Sequence, residues 1–212
     1  MNIEFKNVTF RRKKFCLKNL SFTIREGYMT ALIGKNGAGK TTLFHLLLEK
    51  QAGYEGHIFV DGVDWMQGRT ERLNRIGFVS DEQKFFMDRT AFENAKMLQW
   101  LYDEFSLEQF QTNMDRMQLS ANKRLENMSR GEYIKYQLAF GMAHQAQLYL
   151  LDEATAGMDL IFKKEFFQIL HELLTDECCS VLLSTHIQEE IEQHMDYVIQ
   201  LERGKVISER EV

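Results

Sequence analysis

Proline is absent from all 212 residues, and with it any proline-rich spacer between folded parts. Cysteine occurs three times, as Cys16, Cys178 and Cys179. These match no metal-ligand spacing, and chain neighbours rarely close a good disulfide, so all three read as reduced thiols. No apolar run approaches the roughly 18 residues that a membrane-crossing helix needs. The first residues, Met1 to Lys6, alternate like a strand and lack the apolar stretch of a secretory leader. A cytosolic chain is therefore expected, unless a partner brings it to a membrane. Positive charge is in deficit: the formal net charge is −5, which speaks against nucleic acid as the main partner. The one basic run, Arg11 to Lys14, reads as a solvated hairpin turn. No internal repeat or low-complexity linker is found. What remains is 44% hydrophobic and 27% charged, the composition of a globular protein long enough for one core with a lobe.

The most informative stretch is Gly34, Lys35, Asn36, Gly37, Ala38, Gly39, Lys40, Thr41 and Thr42. It follows a short apolar run, Tyr28 to Ile33, and opens a helix-like stretch, Thr41 to Glu49. Gly34, Gly39, Lys40 and Thr41 meet the spacing G-x-x-x-x-G-K-[ST]. Glycines let successive backbone N–H groups point into one concavity, and a helix beginning there adds the positive end of its dipole. The chemistry is a phosphate cradle in which Lys40, read as a solvated side chain, reaches the β- and γ-phosphates and the Thr41 hydroxyl ligates Mg²⁺.

Around this loop the chain alternates in character. Ile3 to Phe10 and Leu17 to Ile24 read as a hairpin, and Gly56 to Gly62 as a short strand closed by an Asp-Gly turn. Ile76 to Val79 reads as a buried strand. From Thr90 to about Glu126 the pattern turns helical. Capping-box spacings open at Thr90/Glu93 and Ser106/Gln109, and Phe92, Met97, Trp100, Leu101 and Phe105 recur at helical intervals. Strand and helix then alternate: Gln147 to Leu151, Leu160 to Thr175, Ser180 to Ser184, Ile187 to His194, and Tyr197 to Leu201 as a last strand. The expectation is an α/β class with a mostly parallel sheet, N-terminal antiparallel strands and an inserted helical lobe. We take residues 1–80 and 136–212 as the α/β core and about 81–135 as the lobe.

Leu148 to Leu151 is apolar and ends in Asp152 and Glu153, at the strand end where open α/β sheets bind ligands. Asp152 suits Mg²⁺, directly or through water, and Glu153 suits a base that polarises water against the γ-phosphate. The order of segments 34–42, Met128-Ser129-Arg130-Gly131-Glu132, 148–153, Ala156-Gly157-Met158-Asp159 and Ser184-Thr185-His186 resembles the ATP-binding cassette family over essentially the whole chain. It is most similar to the small single-cassette subunits of bacterial transporters.

That resemblance implies a P-loop NTPase core that hydrolyses ATP with Mg²⁺ at the cytoplasmic face of the membrane. The partners it implies are separate transmembrane permease subunits and a second cassette, identical or merely similar. Ser129 and Gly131 are implied to meet the γ-phosphate of ATP held by the opposite subunit, and His186 to act as a switch histidine beside Glu153. Asp159 lies in the loop that touches the partner's site. In the signature segment Arg130 and Glu132 depart from the family's Gly and Gln. Arg130 either adds positive charge or crowds the site, and Glu132 opposes phosphate unless it turns back to cap Ser129. Asp81 stands where the family has a metal-sensing Gln, with Gln83 as a shifted candidate. Phe10, Phe15 or Arg12 is left to stack on adenine. Phe85, Phe86, Met87 and Phe92 form a candidate surface for a membrane subunit's helix. The alternatives are a non-transport cassette ATPase and a regulatory or structural subunit with degenerate sites.

Overall fold

The computed structural model describes residues 1–212 except 13–14, 50–52, 83–84 and 178, and the backbone alone at 176–177. The N-terminal hairpin pairs β1 (Ile3–Arg12) with β2 (Phe15–Ile24), Ile3 opposite Ile24 and Arg12 opposite Phe15. Alternate side chains such as Ile3, Phe5, Leu20 and Phe22 are buried, as a strand with one wet face requires. Of the basic run, Arg11 and Arg12 end β1; residues 13 and 14 lie outside the described residues. Next come β3 (Met29–Ile33) and α1 (Lys40–Leu48). β4 (Glu55–Val60) and β5 (Val63–Asp64) join through Asp61-Gly62, both at positive φ, as a two-residue hairpin with a type I′ twist requires. Then follow α2 (Arg69–Leu73) and β6 (Ile76–Val79).

Three helices lead from β6 to the next strand: α3 (Ala91–Leu98), α4 (Leu107–Arg116) and α5 (Arg130–Ala143). Thr90 caps α3 through a reciprocal box with Glu93, and Ser106 caps α4 by accepting from the Gln109 N–H. α5 is buried nearly all the way round, and it runs unbroken through residues 135 and 136, where the pattern alone divides lobe from core. The chain then completes β7 (Leu148–Asp152), α6 (Leu160–Glu177), β8 (Ser180–Ser184), α7 (Gln188–His194), β9 (Tyr197–Glu202) and β10 (Lys205–Glu211).

The first sheet has the order β2-β1-β4-β5 and is antiparallel; the second has the order β10-β9-β3-β8-β7-β6. Within the second, only β10 runs against its neighbour. The fold is thus α/β with an N-terminal antiparallel sheet. Because successive side chains point to opposite faces, the large sheet feeds two cores. Tyr149, Leu151, Val181 and Leu183 face the helices, with Ile134, Phe140, Phe166 and Phe167. Leu148, Leu150, Leu182 and Ile199 face α1 and the N-terminal sheet, with Phe5, Leu20 and Phe44.

One feature departs from the pattern-based reading. β9 is not the last strand. Arg203 and Gly204, both at positive φ, turn the chain into β10 with the same type I′ twist as Asp61-Gly62. A Cβ on Gly204 would fall 2.1 Å from the Cys16 carbonyl oxygen, so only glycine fits. The apolar stripe of α3 and the turn after it, whose covered side the spacing left open, faces outward. Trp100 is 85% exposed, and Met97 and Leu101 are exposed beside it, while Ala91, Asn94 and Ala95 face the core. Helical spacing identifies a helix without saying which face is covered. Among the described residues no helix is long and apolar enough to cross a membrane. Cys16 and Cys179 are thiols; Cys178 lies outside the described residues.

Candidate functional site

The strand-turn-helix unit β3–α1 makes the phosphate loop. Gly39, at φ 119, is the residue before the helix, a conformation that favours glycine, and a Cβ there would strike Leu17 and Phe15 at 2.8 and 2.9 Å. The loop is braced from outside. The Gly204 N–H donates to the Ala38 carbonyl at 2.9 Å, and the Lys18 N–H donates to the Gly204 carbonyl at 2.7 Å. The β9–β10 turn therefore ties the N-terminal sheet and the phosphate loop together. Lys35, Asn36 and Gly37 are exposed at the rim, while Ala38, Gly39 and Lys40 are buried. Lys40 is enclosed rather than solvated: its Nζ donates to the Gly34 carbonyl at 2.8 Å and lies 3.8 Å from Glu153 Oε1.

Beside the loop opens a cleft of about 580 Å³, lined by Phe15, Gly39, Lys40, Thr41, Thr42 and Ser80, and by Asp81, Asp152 and Glu153. The parallel register puts Asp152 opposite Ser184. Asp152 accepts from Thr41 Oγ1 at 2.9 Å and from Ser184 Oγ at 2.7 Å, while the Glu153 N–H donates to that same Ser184 Oγ at 2.8 Å. Ser184 thus anchors both carboxylate residues. Glu153 itself sits at φ 49, an uncommon conformation for a side chain of its kind, where β7 turns away from the sheet. Thr41 and Asp152 present hard oxygens, and among the described residues no group of three or more His, Cys, Asp or Glu side chains could hold a metal by itself. That donor set fits Mg²⁺, which keeps waters and shares its shell with phosphate rather than filling a protein cage.

Of the three adenine-stacking candidates, only Phe15 lines the cleft. Phe10 is buried, and the Arg12 guanidinium is paired with Glu49 at 2.8 Å. Asp81 lines the cleft; Gln83 lies outside the described residues. His186 follows β8 and is exposed, and it is not among the residues lining the cleft. Its neighbour Thr185 is held by buried Glu190, which also accepts from Thr155 two residues beyond Glu153.

Ser129 and Gly131 stand apart from this cleft, at the start of α5. The Ser129 hydroxyl accepts from the Glu132 N–H, and the Glu132 carboxylate accepts from the Ser129 N–H at 2.7 Å. Glu132 also accepts from Lys123 Nζ at 2.8 Å through both oxygens. Those Lys123 bonds foremost, with the Ser129 bonds, hold its carboxyl below the ordinary range. The carboxylate turns back to the cap. Gly131 lies against the Phe162 ring, which a Cβ would meet at 2.8 Å. Arg130 does not extend outward: its Nε donates to both Asp81 oxygens, at 2.8 and 3.0 Å, and Nη2 donates to the Glu153 carbonyl at 2.9 Å.

Phe85 is not a free docking residue. It packs on Tyr136 and Phe140, with ring centroids 5.0 and 5.1 Å away, whereas Phe86 is 47% exposed. Three roles escaped sequence reasoning: those of the Ser184 hydroxyl, of Glu190 and of the turn glycine Gly204. Only Gly204 carried a signal, since Arg203-Gly204 lies between two apolar stretches, Val198 to Leu201 and Val206-Ile207, as in a hairpin.

Comparison with known proteins agrees with this fold. A solved nucleotide-free ATP-binding cassette from an ABC transporter superposes with a TM-score of 0.85 at 18% identity, covering 100% of this chain and 92% of that one. A dimeric ATP-binding cassette in a post-hydrolysis state, bound to ADP and Pi, gives 0.83 at 22% identity, with 99% and 98% covered. At these identities the likeness concerns the fold. Among curated proteins, the ABC transporter ATP-binding protein NatA of Bacillus subtilis (strain 168) is 30% identical over 208 residues, 93% of this chain and 84% of the relative. The bacitracin transport ATP-binding protein BcrA of Bacillus licheniformis is 29% identical over 195 residues, 90% of this chain. The chain spans 63% of BcrA's length, so that relative extends beyond the shared part. A family model described as ABC transporter matches residues 17–156, from the second strand through the turn after Glu153. The chain belongs to the ABC transporter family.

Proposed function

We propose that this chain is an ATP-hydrolysing subunit that drives a membrane transporter by closing against a second cassette. One observation carries the reading. Lys40, Thr41, Asp152 and Glu153 share a cleft, while Ser129 and Gly131, also expected at phosphate, lie outside it. A site whose parts sit on two faces of one chain is completed by another copy or a similar chain.

The residues divide the work as follows. The amides of residues 34–42 and the N-terminus of α1 cradle the phosphates. Lys40, already enclosed, exchanges its bond to the Gly34 carbonyl for phosphate oxygens. Phe15 stacks on the base. Thr41 and Asp152 hold Mg²⁺, with Asp81 at the cleft edge as a further oxygen donor. When bound, Mg²⁺ neutralises phosphate charge. Glu153 takes the proton of the attacking water, and His186 joins it from the end of β8 as the two chains close. Catalysis is then mainly positioning and charge neutralisation. The whole chain acts as one ATPase unit, core 1–80 and 136–212 with lobe about 81–135.

The outward apolar stripe supports a membrane partner. Exposed Leu101, which shares its helical stretch with exposed Met97 and Trp100, lines a groove of about 370 Å³ between Leu48, Leu73 and Phe78 of the core and Phe85 and Tyr102 of the lobe. Contiguous exposed apolar surface marks a contact site, and this one fits a cytoplasmic helix of a permease subunit, which would hold the chain at the membrane's cytoplasmic face. Relatives are named for cargoes as different as bacitracin and, in Rhizobium leguminosarum bv. viciae, a Nod factor. We therefore assign cargo choice to the membrane subunits.

The test is Glu153→Gln, which keeps size and loses the proton acceptor. Turnover should fall ~10²–10⁴-fold, and light scattering should find a dimer with MgATP that dissociates when nucleotide is removed. Parental turnover would remove Glu153 as the base. Slow turnover by a persistent monomer would instead point to a different cassette as the natural partner.

A further inference from the structure

We propose that Arg130 is a positioning residue that works against the metal in its own subunit: its guanidinium holds Asp81, and Mg²⁺ arriving at Asp81 must loosen that hold. The inference rests on the reading of Asp81 as a metal-side residue of the cleft. Arg130 is the first residue of α5, directly after the cap Ser129. A side chain there has solvent available to it, yet this one folds back across the junction of two strand ends. Nε spans both oxygens of Asp81 in the loop after β6, at 2.8 and 3.0 Å, and Nη2 reaches the Glu153 carbonyl after β7 at 2.9 Å. The third nitrogen, Nη1, is enclosed, has no acceptor among the described residues, and lies 3.9 Å from where a Cβ on Gly157 would be. An enclosed donor left unpaired is a cost, so Asp81 and one carbonyl hold the arginine in a seat that does not fully satisfy it.

The consequence is electrostatic. A divalent cation drawing on the Asp81 carboxylate competes with the guanidinium for the same oxygens, and the two cations repel each other across it. Thermodynamic linkage makes this reciprocal: the ion pair weakens metal binding by the factor by which metal weakens the ion pair. Arg130 begins the helix that also carries Ser129 and Gly131. Metal and nucleotide in a chain's own cleft thereby loosen the tether on the segment that chain offers to its partner. The size is bounded by exposure. The Asp81 side chain is 59% exposed and that of Arg130 35%, and pairs of this kind support effects of about two- to fivefold.

The experiment compares binding of a fluorescent, non-hydrolysable ATP analogue with Mg²⁺ and with EDTA. The ratio of the two affinities reports the metal's contribution apart from turnover. Asp81→Asn should lower the ratio, and Arg130→Gln should raise it by about two- to fivefold. In the Asp81→Asn background Arg130→Gln should change nothing further, and Arg130→Lys, which keeps the charge without the fork, should fall between parent and Arg130→Gln. A purely structural Arg130 would shift both affinities alike or only the melting temperature, leaving the ratio unmoved. If Asp81→Asn lowers the ratio and neither Arg130 variant raises it, the competition is refuted while Asp81 keeps its metal role. If Asp81→Asn leaves the ratio unchanged, the metal reading of Asp81 fails and this inference with it. Should Arg130→Gln not fold, the lysine variant carries the same decision.

Discussion

The nucleotide cleft and the signature segment are both polar, both begin a helix, and are partnered in opposite ways. In the cleft, Lys40 faces one carbonyl and a carboxylate 3.8 Å off, and Thr41 bonds Asp152, with which we propose that it holds metal. These are stand-in contacts, which phosphate and Mg²⁺ can replace with stronger ones. At the start of α5 the groups are already matched: Ser129 with Glu132, Glu132 with Lys123, Arg130 with Asp81. One region waits for ligand, and the other must exchange existing partners to meet one. The departures from the family pattern at positions 130 and 132 thus read as substitutions with partners of their own rather than as decay.

The contrast breaks most sharply at Lys40. If its present contacts are stand-ins, Lys40→Ala should lower MgATP affinity on the order of 10²-fold, the range of a charge-assisted hydrogen bond, measured by fluorescent nucleotide titration. Its nucleotide-free melting temperature should not fall, because an enclosed ammonium with thin pairing contributes little to the fold.

The far end of α5 supplies a pH test. His144 is buried with Nδ1 3.0 Å from the Asn74 carbonyl, and burial lowers its pKa to about 4. The unfolded chain therefore binds the extra proton at higher pH than the folded one. Stability associated with this group is intact above about pH 6.5 and is lost as pH falls toward 4, by roughly 2–3 kcal/mol. Urea unfolding across that window should slope accordingly, and His144→Gln should flatten the slope whatever its absolute stability.

Glu132→Ala is the smaller test of the matched region. Losing the carboxylate half of the capping box and the Lys123 partner should cost about 1 kcal/mol, read by denaturant midpoint. Because the Glu132 pKa is lowered, chiefly by Lys123, the parent's advantage should be full above the ordinary carboxylate range and be lost below it, as pH falls through the lowered folded-state pKa. Least of all should Phe86→Glu matter to the isolated chain: a half-exposed side chain outside the core moves stability within about 0.5 kcal/mol. Its effect belongs to co-purification with a permease subunit, which should be lost.

The phosphate loop was legible because its chemistry is contiguous: residues 34–42 carry spacing, glycines, lysine and hydroxyl in one stretch, and the strand before and helix after follow from local pattern. Asp152 and Glu153 were legible for a related reason, since an apolar run ending in two acids places them at a strand end whatever the neighbouring strands are. Ser129 and Glu132 announced a cap, and the cap formed. The partners were not legible. Ser184 meets Asp152 only through the parallel register of β7 and β8, and Arg130 meets Asp81 across 49 positions of chain. The same limit applied to surfaces: the spacing of Met97, Trp100 and Leu101 marked a helix, yet whether that face is covered depends on what the rest of the chain packs against it. Backbone periodicity is a local property, set by bonds and sterics within a few residues, so sequence by itself determined the elements and the glycine-rich turn between β3 and α1. Which side chains meet across strands and helices, and which apolar face stays bare, was decided only when two sheets and the helices closed around the two cores.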